Sequence, residues 1–361
     1  MRAEVYSVKT ILVTGGAGFV GTTLALGFKA QESGCRVVAL DNLKRRGSEL
    51  NLPRLRAGGV EFVHGDVRCA ADLEACGPCD LLIECSAEPS VLAGYGGSPA
   101  YVTDANLIGA INCLEHARRH GSGFLFLSTS RVYPIAALNR LALVEADTRF
   151  ELAADQPVPG VGPEGVSEDF PLAGARSLYG TTKLCAELII AEYVEMYGLR
   201  AVVNRCGVIA GPWQMGRIDQ GVAALWVARH VYGGALKYIG YGGTGRQVRD
   251  LLHVDDLFRL VKIETDRLDE LAGGVFNAGG GRAVSASLCE MTALCQSATG
   301  TRIDIGSDPE TRAADVPVYI TDNRRVTAAT GWRPEKTAAD IIEDIHRWIV
   351  DNREALAGVL G

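Results

Sequence analysis

Short apolar runs alternate with longer amphipathic stretches through the first 205 residues. Ile11-Leu12-Val13, Val37-Val38-Ala39-Leu40, Glu61-Phe62-Val63-His64, Asp80-Leu81-Leu82-Ile83, Phe124-Leu125-Phe126-Leu127 and Ala201-Val202-Val203-Asn204 have the length and character of strands covered on both faces. Between them the spacing predicts helices, beginning with Leu24-Ala25-Leu26-Gly27-Phe28 and then at about 100–120 and 177–197. Strand and helix in alternation predict an α/β protein with a doubly wound parallel sheet. From about residue 206 the elements shorten and glycines cluster (Gly240, Gly242, Gly243, Gly245; Gly279, Gly280, Gly281), which suggests a smaller lobe. The expected organisation is a first domain over 1–205, completed by part of 247–280, and a C-terminal lobe over 206–361. The stretch 150–176, rich in Pro, Gly and acidic residues, reads as loop.

Two motifs add chemistry to this pattern. Thr14-Gly15-Gly16-Ala17-Gly18-Phe19-Val20-Gly21 falls between the first strand and the first helix. Glycines at 15, 18 and 21 let the chain turn tightly, bring main-chain N–H groups to a pyrophosphate and pack the helix on its strand. The next strand ends at Asp41, about twenty residues on, where a carboxylate accepts bonds from ribose hydroxyls. An anion there favours NAD over NADP, because a 2′-phosphate would be repelled. Lys44, Arg45 and Arg46 follow, and a solvated basic loop is their simplest reading.

The second motif is Tyr179-Gly180-Thr181-Thr182-Lys183 at the start of the predicted helix, with Tyr179 and Lys183 four residues apart on one face. For a phenol to act as a base near neutrality its pKa must fall about three units, roughly 4 kcal/mol of preferential anion stabilisation. Lys183 and a positive nicotinamide supply that charge. Thr129, at the end of its strand in Leu127-Ser128-Thr129-Ser130-Arg131-Val132-Tyr133, supplies a hydroxyl to orient the reacting oxygen. Ser86-Ala87 also lie at a strand's C-terminal end, where ligands bind in open α/β sheets. A strand, a glycine turn and a tyrosine–lysine pair describe a hydride-transfer enzyme.

Composition narrows the classes. A chain of 361 residues, 47% hydrophobic with net charge -7, can bury a large core and has no electrostatic case for nucleic acid. No apolar run reaches the length of a membrane span, and Met1 to Lys9 lacks the apolar core of a secretion signal, so a cytoplasmic location is expected. The ten cysteines are scattered singly, apart from Cys76-Gly77-Pro78-Cys79, and most read as small reduced core residues. That pair mimics a thiol redox site but precedes a strand rather than a helix, and reads as loop. No metal site is expected.

Taken together, these motifs resemble the extended short-chain dehydrogenase/reductase family, which works on nucleotide sugars. The resemblance also includes His64-Gly65-Asp66-Val67-Arg68, Asn106 in Asp104-Ala105-Asn106-Leu107-Ile108-Gly109, Arg246-Gln247-Val248-Arg249-Asp250, His253-Val254-Asp255-Asp256 and Gly331-Trp332-Arg333-Pro334. It implies a Rossmann-type fold and a cofactor site of Gly15, Gly18, Phe19, Val20, Gly21, Asp41, Asn42, Asp66, Val67, Ser86, Ala87, Asn106, Tyr179 and Lys183. Asp66 and Val67 would flank the adenine, Lys183 would hold the nicotinamide ribose, and Arg249 with Arg312 would clamp the substrate diphosphate. Gln220 and Thr129 would also touch substrate. Glu88 is either a contact to sugar hydroxyls or a solvated carboxylate. Helices 100–120 and 177–197 resemble those the family uses to form homodimers.

Within the family, the threonine at 129, the long segment carrying Asp147-Thr148-Arg149-Phe150, Asp219-Gln220-Gly221 and Gly245-Arg246-Gln247-Val248-Arg249-Asp250 resemble the CDP-tyvelose (CDP-paratose) 2-epimerases. Departures stand at Glu84-Cys85-Ser86-Ala87, where a histidine is usual, at Pro134 and at Val208 after Arg205-Cys206-Gly207. The resemblance therefore implies an NAD-dependent epimerase. A 4-epimerase, dehydratase or dehydrogenase of the same fold, and a silent NAD-binding protein, are the alternatives. Ser130-Arg131 after Thr129, in place of an acid pair, stands against the dehydratase.

Overall fold

The computed structural model describes residues 9–361 apart from 33 and 217–219. Its centre is a sheet of seven strands: β1 (Thr10–Thr14), β2 (Arg36–Asp41), β3 (Glu61–His64), β4 (Leu81–Glu84), β5 (Gly123–Thr129), β6 (Ala201–Cys206) and β7 (Val275–Ala278). They lie in the order β7-β6-β5-β4-β1-β2-β3, and every pairing is parallel. The six strands read from the sequence are all present. The seventh, Val275–Ala278, comes from the C-terminal half of the chain and pairs with β6.

Side chains alternate across a strand, so each apolar run serves two cores. Ile11, Val13, Val37, Ala39, Ile83 and Leu125 face one layer, with α1 (Phe19–Gln31) and a helix at Val254–Asp266 packed on it. Leu12, Val38, Leu40, Leu82, Phe124 and Phe126 face the other, against α2 (Gly109–His120) and α3 (Leu178–Tyr197). This is the doubly wound, Rossmann-type α/β architecture.

The helix expected over 100–120 is broken into three pieces: Ala100–Thr103, a π turn at Asp104–Ile108, and α2. The wide turn carries Asn106 inward, where its Nδ2 donates to Thr182 Oγ1 at 3.2 Å and to the Glu88 carbonyl at 3.1 Å. Regular helical periodicity does not report such a local widening.

The C-terminal lobe is built on a four-stranded sheet of Val208–Ala210, Val248–His253, Ser285–Ser287 and Val318–Tyr319, with helices Val222–Tyr232, Leu288–Thr299 and Ala338–Asp351 around a second core. The segment 150–176 read as loop carries short strands instead: Phe150–Leu152 pairs with Leu143–Glu145 ahead of it, and Val161–Gly162 forms a hairpin with Gly165–Val166. Their apolar side packs on Val316, Val318 and Ile320, and Val166 N donates to the Ile320 carbonyl at 2.8 Å. The two late motifs meet at one carboxylate: Asp256 Oδ2 accepts from the main chain of Glu335 and Lys336, and Trp332 Nε1 donates to the Asp256 carbonyl at 2.9 Å.

The Cys76–Cys79 pair lies in the loop expected. Both side chains are buried, and burial pushes each thiol up to about 11, which opposes the thiolate that redox chemistry needs. Among the described residues no helix is long and apolar enough to cross a membrane.

Candidate active site

The parallel strands end on one edge of the sheet, and a cleft of about 610 Å³ opens there against the C-terminal lobe. At one end is the glycine turn. Gly15 adopts φ 63°, and a Cβ at Gly21 would stand 2.2 Å from the Gly15 carbonyl oxygen, so helix and turn approach as only glycine permits. The N-cap of α1 is Gly18, and no side chain caps it. Its first-turn N–H groups are therefore left facing the cleft, which suits a pyrophosphate.

Asp41, at the end of β2, closes this part of the site. Oδ1 accepts from Leu43 N at 2.7 Å and Oδ2 from Ala17 N at 3.1 Å. Burial raises its pKa, while these main-chain donors pull the other way. Asp66 lies beyond it, held by Arg68 and by Asn42 Nδ2 at 2.9 Å, and the Arg68 guanidinium brings its carboxyl down to about 2.

The residues singled out for chemistry meet at the other end. Thr129 is the last residue of β5, and Tyr179 and Lys183 stand on the first turns of α3, whose N-cap Ser177 accepts from Gly180 N at 3.3 Å. A Cβ on Gly180 would lie 2.0 Å from the Arg131 carbonyl oxygen. The helix thus seats directly on the segment following Thr129, and Thr129 and Tyr179 line the same end of the cleft. Burial raises the phenol's pKa, and Lys183 and Thr129 work against that rise. Without a further positive charge the tyrosine stays protonated near neutrality.

Lys183 is almost wholly enclosed. Its Nζ lies 3.1 Å from Glu84 Oε2 and 4.3 Å from the centroid of the Phe126 ring. Beneath it a second buried pair joins Arg205 of β6 to Glu187 of α3 at 2.8 Å. Ser128 Oγ donates to the same carboxylate, and Arg205 reaches on to the Tyr133 hydroxyl, which donates to Asn277 Oδ1 at 2.7 Å. This network ties β5, β6, β7 and α3 together under the reacting groups.

The chain matches the NAD dependent epimerase/dehydratase family over residues 11–279. It belongs to that family. It is 30% identical over 345 residues to the CDP-paratose 2-epimerase of Salmonella typhi, covering 94% of this chain and 98% of that one. Two solved structures share the fold: the UDP-glucose 4-epimerase of Thermus thermophilus in complex with NAD, with TM-score 0.75, 25% identity and coverage of 94% and 99%, and a dTDP-glucose 4,6-dehydratase of Streptomyces venezuelae with NAD bound, with TM-score 0.77, 26% identity and coverage of 97% and 99%. These relatives are enzymes acting on nucleotide sugars, and this epimerase/dehydratase is an enzyme too.

Gly15, Gly18, Phe19, Val20, Gly21, Asp41, Asn42, Asp66, Val67, Ser86, Ala87, Glu88, Thr129, Tyr179, Lys183, Gln220, Arg249 and Arg312 all line the one cleft. Asn106 does not. It is buried behind the wall, where Oδ1 accepts from Glu88 N at 2.7 Å and so holds the segment that carries Glu88. Asp219 lies outside the described residues.

Several wall residues escaped sequence reasoning. In the basic run at 44–46, Lys44, 3.6 Å over the Tyr101 ring, and Arg46, bonded to the Gly358 carbonyl, are exposed as read, but Arg45 is drawn in and bonds Gln220 and the Met215 carbonyl across the cleft. Charge density along a sequence cannot tell a solvated run from one that reaches another lobe. Arg131 enters the cleft near Tyr179, its Nη1 bonding the Ala314 carbonyl at 3.2 Å. Burial and then the neighbouring Arg249 lower its pKa to about 10. Arg249 itself is paired with Asp315 at 2.7 Å. Outside the cleft, Glu74, His116 and His120 bring ligand atoms within 4.8 Å of one another, but Arg119 Nη1 already sits 2.7 Å from Glu74 Oε1.

Proposed function

We propose that this protein is an NAD-dependent nucleotide-sugar epimerase that works by transient oxidation of its substrate to a keto-sugar. The observation that carries the reading is the meeting of Thr129, Tyr179 and Lys183 at one end of a cleft whose other end is the uncapped glycine turn. NAD, when bound, would accept a hydride from the sugar carbon and return it. The first-turn N–H groups behind Gly18 would hold its pyrophosphate, Asp41 the adenosine ribose, Asp66 and Val67 the adenine, and Lys183 the nicotinamide ribose.

Tyr179 would take the proton from the sugar hydroxyl at its phenolic oxygen and give it back after the ketone has presented its other face. Thr129 would hold the reacting oxygen through its hydroxyl. The Lys183 ammonium would stabilise the phenolate. Arg249 and Arg312 would clamp the nucleotide diphosphate with planar guanidinium forks suited to phosphate, and Gln220 would also touch the substrate. Ser130-Arg131 offers no acid next to Thr129, which favours epimerisation over dehydration.

The finer reading is C2 epimerisation of a CDP-activated sugar, supported by the threonine at 129 and the near full-length likeness to a CDP-paratose 2-epimerase. A homodimer accompanies it, supported by the exposed Ile108, Leu188, Met196 and Tyr197 along the stretches 100–120 and 177–197, and a cytoplasmic location is part of the same reading. The test is to purify the protein, release and identify its dinucleotide, and follow CDP-paratose by NMR without added cofactor. Epimerisation at C2 without accumulation of NADH supports the reading; a stoichiometric demand for fresh NAD overturns it in favour of a dehydrogenase.

A further inference from the structure

We propose that Glu84 is a positioning residue for this enzyme, acting through Lys183 to keep the ammonium charged and fixed beside Tyr179. The inference rests on the role given above to Tyr179 and Lys183, and it concerns a side chain that does not line the cleft.

Glu84 is the last residue of β4, only 1% exposed, and its Oε2 accepts from Lys183 Nζ at 3.1 Å. Among the described residues it is the only ion-pair partner of Lys183, itself 2% exposed. The groups that face this pair come from every neighbouring element. Tyr179 stands on α3, Cys85 next to Glu84, Cys113 on α2 and Cys206 on β6, with Glu264 beyond Cys206. Burial holds the three thiols in their neutral form, and Glu264 is likewise pushed towards its neutral form. The charges that matter are therefore those of Lys183, of Glu84, whose carboxyl burial raises while Lys183 pulls it back down, of Tyr179, and of Arg131 near the phenol.

A buried ammonium without a counter-ion sheds its proton, and a carboxylate at hydrogen-bond distance prevents this. Burial disfavours the charge on Lys183, yet Glu84 and Tyr179 together hold its pKa above that of an ordinary lysine. Removing the negative charge should lower the proton affinity of both Lys183 and Tyr179. Activity requires Lys183 protonated and Tyr179 able to release its proton, so both limbs of the pH profile should move towards acid.

Glu84→Gln keeps the size and one acceptor oxygen while removing the charge. In cofactor-free protein carrying 13C-labelled lysine, with the Lys183 signal assigned by its loss in Lys183→Arg, the expected result is a titration of Lys183 lower in Glu84→Gln by on the order of one pH unit or more. The activity profile of the loaded enzyme should shift the same way, and Glu84→Asp, which retains the charge, should lie between parent and Glu84→Gln. An unmoved Lys183 titration, or a fall in rate with the pH profile unchanged, overturns the proposal. If Glu84→Gln fails to fold, the parent decides: a Lys183 that titrates below the ordinary lysine range has no such support. Retained activity in Tyr179→Phe would instead overturn the catalytic reading, and the lysine titration would still stand as a separate result.

Discussion

Gly180 lies so close to Arg131 that a Cβ on the glycine would meet the arginine's carbonyl oxygen at 2.0 Å. That approach sets the start of α3 on the segment after β5 and so brings Tyr179 beside Thr129. Gly180→Ala must push the two apart. We expect destabilisation of about 1–3 kcal/mol, as for other overpacked sites, together with a fall in rate of at least tenfold. Thermal melts and a stereochemical assay check both; a variant with parental rate shows that the contact does not govern the site.

Tyr179→Phe removes a single hydroxyl. As the base, Tyr179 accounts for a loss on the order of 10²–10⁴ in rate with NAD still bound. Thr129→Ala should lose less, since water can replace an orienting hydroxyl. Loss of the starting nucleotide sugar is the measurement, and a Phe variant within a few-fold of the parent refutes the mechanism.

Asp41→Asn replaces the carboxylate that holds Ala17 N and Leu43 N behind the glycine turn. NAD affinity should fall by roughly 1.5–3 kcal/mol, the worth of charge-assisted bonds, and the parent should discriminate against NADP. Calorimetry on cofactor-free protein reads both. Equal binding of NAD and NADP by the parent contradicts the assignment.

Arg131 carries a guanidinium into the cleft beside Arg249, and among the described residues it makes no ion pair. An anionic part of the substrate is the natural partner. Arg131→Leu should raise KM by about 10–100-fold, corresponding to roughly 1.5–3 kcal/mol, and leave the bound NAD content unchanged. An unaltered KM places the substrate's charge elsewhere.

Glu264 is fully buried, with one carboxylate oxygen accepting from Asn204 Nδ2 at 2.7 Å, and burial pushes its pKa up to about 8. The folded chain therefore keeps a proton that the unfolded chain releases above the ordinary carboxyl range. By linkage, stability should fall as pH rises from about 4.5 to 8 and level off beyond. Glu264→Gln removes this term, so the variant's urea midpoint should stay flatter across that window while the parent's declines. A parent with no such decline shows that Glu264 ionises without cost.

Local and periodic information carried much of this protein. The strands through Val13, Leu40, Ile83 and Leu127 were legible because residues buried on both faces of a sheet must be apolar without interruption. The glycine turn and the Tyr179–Lys183 pair were legible because their function depends on spacing within one turn or one helix face. Tertiary structure decided the rest. Glu84 and Lys183 are 99 positions apart, and only the sheet order, which sets β4 beside β5 and under α3, makes them partners. Arg45 became a cleft residue because another lobe lies across from it, and Asn106 left the cleft because a π turn drew it inward. Such pairings depend on what the folded chain places opposite a side chain, and neither periodicity nor composition encodes that distance.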